Sequence, residues 1–136
     1  MAGCFLSVSG ESFDVESFLK TSFVWRKYAS TFYNKNCPGQ EKPIQGLHLD
    51  ISDDEDTITV QIERAIIFLE EQEEELRRLR CFPGVQEIEL RFGGWWYEDT
   101  VAFFLCLPSK LVERAGQFGI EICVGIYATS REQEHE

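Results

Sequence analysis

Six apolar residues, Ile58, Ile62, Ile66, Leu69, Leu76 and Leu79, follow one another at steps of three, four or seven. Those steps return to one side of an α-helix, and they predict a single long helix over 56–80 with that side turned to a core. The opposite side carries Glu63, Glu70, Glu71, Glu74, Glu75, Arg77 and Arg78. Glu73 with Arg77, and Glu74 with Arg78, stand at the four-residue spacing of helical ion pairs. A second reading fits the first turns. Ile58, Val60 and Ile62 also alternate at period two, so 57–62 suits a hairpin's return strand, with the helix starting nearer Glu63.

The flanking pattern is shorter in period. Residues 4–9 alternate through Leu6 and Val8 and break at Gly10, which predicts a strand and a turn. Ser12 or Asp14 then caps a short helix that turns Val15, Phe18 and Leu19 inward. Val24, Tyr28 and Phe32 share a helical face, with Trp25 and Ala29 beside them, and predict a second helix over 22–33. The turn-rich interval NKNCPGQEKP is loop. GLHLDI alternates and reads as a strand, and Asp53, Asp54, Glu55 and Asp56 follow it as carboxylates for the long helix's N-terminus.

Beyond that helix, Pro83 and Gly84 enforce a stop. Val85, Ile88, Leu90 and Phe92 mark a strand, GGWWYEDT a turn, and VAFFLCL a central strand buried on both sides. Pro108 and Ser109 open a helix with Leu111, Val112, Ala115 and Phe118 inward, ended by Gly119. IEICVGIYA is the last strand, and 129–136 is a polar tail.

From Gly46 the order is strand, helix, strand, strand, helix, strand. It predicts an α+β domain over 1–128 of the ferredoxin-like split β-α-β type, a four-stranded antiparallel sheet with its helices on one face. The first strand and helix are then an N-terminal addition, and segment 21–45 is free to cover the other face.

Composition narrows the function more than the fold. The 136 residues are 43% hydrophobic and 27% charged, in keeping with one globular domain. No apolar run is long enough to span a bilayer, and the start MAGCFLSVSG lacks the basic and apolar regions of a signal peptide, so the expected location is cytoplasmic. The net charge of −11 falls entirely within 53–136. Such a body repels phosphate backbones, arguing against duplex nucleic acid and for a basic protein partner, although solubility alone also explains it. Aromatics among the basic residues of 20–42 could stack on single strands, but their helical spacing favours an amphipathic helix.

Candidate chemistry is sparse. The five cysteines lack C-x-x-C spacing and read as reduced structural thiols, Cys106 and Cys123 as small buried ones within apolar alternations, and with two histidines a zinc site is improbable. His48 has no nucleophile or acid pair nearby in sequence and suits the solvent face of a strand. The acids 53–56 lack the spacing and glycine of a calcium loop. Neither catalytic residues nor a cofactor are expected. The remaining candidates are Trp95, Trp96, Tyr97, Glu98 and Asp99, where large aromatics beside acids make either an interface anchor or a lid folded over the sheet.

The opening FLSVSGESFDVESFL, the long acidic helix followed by a strand, and the closing LPSKLVERAGQFGIEICVGIY together resemble the bacterial family called domain of unknown function 4279. The likeness covers about residues 5–127 and rests on element order and those two motifs, while 21–45 is richer in aromatics than the family pattern. It implies a compact cytoplasmic α+β domain without established catalytic residues. Some relatives look like immunity proteins, which implies a toxin as the basic partner. Two other readings stay open: a small-ligand site or enzyme in a cleft of the sheet, and a homodimer or larger assembly formed through a sheet face or edge.

Overall fold

The computed structural model describes residues 3–34 and 43–129; the loop at 35–42 with Cys37, and the tail from 130, lie outside them. Strand β1 (Phe5–Gly10) buries Leu6 and Val8 completely, as its alternation predicts. Far from being an addition, it is the middle of a five-stranded sheet of order β2-β3-β1-β4-β5. β3 (Ile44–Asp50) and β4 (Glu87–Tyr97) flank it, both antiparallel, and β2 (Ser30–Asn34) lies antiparallel outside β3. β5 (Glu121–Thr129) runs parallel to β4, from Glu89↔Glu121 to Tyr97↔Thr129. The architecture is α+β, but the sheet is mixed rather than the expected four antiparallel strands.

Helix α1 (Val15–Lys20) is capped by Asp14, whose carboxylate accepts from the Ser17 amide. The stretch that also suited a return strand is helical: α2 (Ile58–Glu71) starts on Thr57, whose hydroxyl accepts from the Val60 amide. The cap is therefore Thr57, and the acids 53–56 lie before the helix rather than in its first turn. Instead of running unbroken to Arg80, the helix is interrupted at Gln72 and continues as α3 (Glu73–Arg80). No helix-breaking residue stands there. What meets the break is Trp25, whose indole N–H donates to Gln72 Oε1 at 2.9 Å while its ring stacks on Phe68. The stripe nonetheless faces the core, with Ile62, Leu69, Leu76 and Leu79 buried and Ile58 and Ile66 packed at its margin. Glu73 pairs with Arg77 as spaced, but Arg78 takes Glu75 at 2.8 Å rather than Glu74, and its guanidinium lies over the Phe18 ring.

Three segments depart from the pattern. The helix expected over 22–33 is a single 3-10 turn, Trp25–Lys27, followed by β2. Ser30, Thr31, Phe32 and Tyr33 suit a strand, and Phe32 lies across Gly46, where its ring covers backbone that has no side chain. The segment thus widens the sheet instead of covering its other face, and among its described residues Trp25 is the large side chain buried in the core. Second, GGWWY is no turn; it is the second half of β4. Third, 101–107 forms no strand: Val101 and Phe104 are 101% and 87% exposed, and only Leu105 and Leu107 touch the core. α4 (Ser109–Gln117) buries Leu111 and Ala115, with Phe118 beyond it, but leaves Val112 half exposed rather than inward.

Candidate functional site

β4 outruns its neighbour. β1 pairs with it only as far as Phe5↔Arg91, so from Gly93 onward one side of β4 has no strand against it among the described residues. Gln61 of α2 takes that place. Its side-chain carbonyl accepts from the Gly93 amide at 3.0 Å, and its NH2 donates to the Gly93 carbonyl at 2.7 Å and to the Asp56 carbonyl at 2.9 Å. The carboxamide thus makes the pair of hydrogen bonds that a neighbouring strand would make, and Gln61 is 0% exposed.

This clamp sets the start of α2 beside the upper part of β4 and β5, and a cleft of about 460 Å³ lies between them. Asp56, Thr57 and Ile58 line it from the start of α2, Trp95, Tyr97, Ile126 and Thr129 from the ends of the two strands, and Phe103 from the segment after β4. Gly93 and Gly94 also line it, adding no side chain to fill the space. The cleft opens at the carboxyl ends of the parallel pair, the position at which open α/β sheets receive ligands. Its walls are mainly apolar. Asp56 is engaged locally, accepting from the Asp53 amide at 3.0 Å and lying 3.4 Å from Arg64 Nε.

The five candidates of the sequence divide. Trp95, 54% exposed with its ring 5.7 Å from that of Tyr127, and Tyr97 border the cleft. Trp96, one residue out of phase, is half-buried outside the lining, and its Nε1 is buried with no acceptor among the described residues. Glu98 and Asp99 are exposed just past the strand, where the Glu98 amide donates to the Thr129 carbonyl. Phe103 and Ile58, which the sequence pattern puts in a buried strand and in the core stripe, also line the cleft.

A second constellation occupies the polar face of the sheet. Carboxylate oxygens of Glu87, Glu89 and Glu121 lie within 4.8 Å of one another, the one such group among the described residues with spacing for a cation. Glu89 is ion-paired with Arg91. Burial, then the charges of Glu121 and Glu89, holds the Glu87 carboxyl above its usual range. An acid whose pKa is raised by folding destabilises the fold where it is ionised, and the cost fades as pH falls through that raised pKa. Glu87→Gln is accordingly expected to raise stability at pH 7 by less than about 1 kcal/mol, with the gain vanishing below the unfolded glutamate pKa. Urea unfolding at the two pH values checks it.

His48, on the same face, stacks on Phe5 at 4.1 Å and lies 3.1 Å from Asp50. Neither it nor Glu121 borders the apolar cleft. Burial pushes the Cys4 thiol up to about 12, which keeps it unreactive, whereas Cys106 and Cys123 are exposed, contrary to their expected burial.

Fold and cleft define an α+β domain with a mixed sheet and an apolar cleft beside its one parallel strand pair among the described residues. No described helix is long and apolar enough to cross a membrane. Comparison with protein-family models, curated proteins and solved structures gives no match.

Proposed function

We propose that this protein is a non-catalytic binding module whose contact surface is the mouth of the cleft, with a basic protein as its partner. The observation that carries this reading is the exposure of large apolar side chains there: Trp95 and Phe103 on the lining, Val101 and Phe104 in the same segment as Phe103. Grouped exposed apolar residues mark interaction surfaces, and aromatics are the usual energetic anchors. The sign of the partner follows from the charge of −11 and from the exposed Asp53, Asp54, Glu55, Glu98 and Asp99, which adjoin cleft residues in the chain. Neutralisation of a toxin in the cytoplasm, as in immunity proteins, is the specific form of this proposal. It rests on the resemblance to domain of unknown function 4279.

The decisive trial is to identify the neighbouring gene and, where it encodes a basic toxin, to measure that toxin's binding to the wild type and to Phe104→Ala. Binding should weaken by roughly thirtyfold, the effect of losing an anchor worth about 2 kcal/mol, with the melting temperature unchanged because the ring is exposed. Undiminished binding, or a collapse of the melt, removes the surface from consideration. The cleft's size and apolar walls also favour a second reading, a small apolar ligand, since such pockets run from about 300 to 1,000 Å³. Native mass spectrometry of protein purified from cells would show the ligand's mass.

A further inference from the structure

β5 is an edge strand of nine residues, and no described strand lies outside it. Its hydrogen-bonding directions are fixed by two contacts. Gly93 points away from β5 toward Gln61, and the Glu98 amide donates to the Thr129 carbonyl. Even-numbered residues of β4 therefore point toward β5, and odd-numbered residues of β5 point back. It follows that the amides and carbonyls of Ile122, Val124, Ile126 and Ala128 point outward from the sheet.

We propose that this edge pairs with β5 of a second copy of the chain, antiparallel about a two-fold axis at Gly125, to make one continuous ten-stranded sheet. The register is self-complementary. Val124 falls opposite Ile126 and Ile122 opposite Ala128, so all four outward-pointing residues of each copy exchange both of their hydrogen bonds. On the helix face these pairs bring only apolar side chains together. On the other face Cys123 meets Tyr127, and Glu121 meets Thr129, so no like charges oppose one another.

Charge selects the same place. A chain of net charge −11 repels its copy over most of its surface, yet 122–129 carries no charged residue and no proline, the usual guards of an exposed edge. The helix above agrees. Lys110 and Arg114 of α4 reach Glu70 on α2, and Leu111 and Ala115 face the sheet. Val112, 50% exposed, therefore projects on the side away from α2, above the free edge, and a Cβ added at Gly116 would meet nothing within 4 Å. Two copies joined at β5 bring their Val112 side chains toward the axis.

Sedimentation velocity of the full chain should show a dimer that tightens as salt screens the net charge. Tyr127→Cys places a thiol opposite Cys123 of the other copy in a non-hydrogen-bonded pair, where Cβ atoms are close enough for a disulfide. Mild oxidation should then yield a covalent dimer, and adding Cys123→Ser should abolish it. Val112→Glu, on an exposed helical position, should return the chain to monomer with its circular dichroism intact. A monomer up to millimolar concentration, an open-ended polymer, or a cross-link that survives Cys123→Ser each overturns the proposal.

Discussion

Gln61→Leu is expected to lower the unfolding free energy by about 3 kcal/mol and the melting temperature by roughly 10 °C. Leucine fills much of the same volume, so packing is nearly conserved and the cost is polar. The Gly93 amide and carbonyl and the Asp56 carbonyl lose their shared partner, and Gln61 is sealed from solvent, so water has no route to replace it. Each buried group left unpaired costs about 1–3 kcal/mol. Gln61→Glu gives a sharper signature. An ionised carboxylate can accept from the Gly93 amide but meets two carbonyl oxygens where the NH2 stood, which raises its pKa in the fold. The variant should therefore be weakest at neutral pH and recover as pH falls through that raised pKa, because the protonated acid can donate again. Urea denaturation followed by circular dichroism measures both. A shift under about 1 kcal/mol for Gln61→Leu would mean that the carboxamide is not what holds α2 to β4.

The same residue shows where sequence patterns lose their hold. Ile62, Leu69, Leu76 and Leu79 announce a helix face because helical period is local, and the structure buries all four. Leu6 and Val8 likewise announce β1. Its place at the centre of the sheet was not legible, since pairing with residues 45–50 and 87–91 depends on contacts far apart in the chain. Gly93 and Gly94 signal a turn in any local reading. They instead lie within β4, where Gln61 clamps Gly93 and the absence of side chains opens the cleft floor. The run 101–107 has the apolar density of a buried strand, yet the outer side of β4 is taken by β5, so the run forms no hairpin with β4.

The candidate site was half legible for the same reason. Trp95 and Tyr97 stand out by composition as anchors, and both reach the cleft. The alternation of a strand then removes Trp96, which a turn would have kept beside them. Phe103, Thr57 and Ile58 come to the cleft from elements whose positions only the tertiary fold defines.

Gly10→Ala and Gly84→Ala are each expected to cost about 3 kcal/mol or more, by forcing backbone off backbone. A Cβ at Gly10 would lie 1.8 Å from the Gly84 carbonyl oxygen, and one at Gly84 would lie 2.2 Å from the Ser12 carbonyl oxygen. Gly84 also has a φ of 89°, which a Cβ makes strained whatever the space. The turn after α3 thus lies directly across the exit of β1, where the Gln86 amide donates to the Ser9 carbonyl and the Gln86 side chain accepts from the Glu11 amide. Neither hydrogen bond survives a displacement that clears the overlap. Because one displacement serves both sites, the double variant should lose less than the sum of the singles, a coupling that a double-mutant cycle in urea measures. Gly116→Ala, within α4 and with open space around the added methyl, should instead raise stability by about 0.5–1 kcal/mol. Equal and small effects at all three glycines would place the turn away from β1 and break the link between α3 and β4 on which the sheet's order depends.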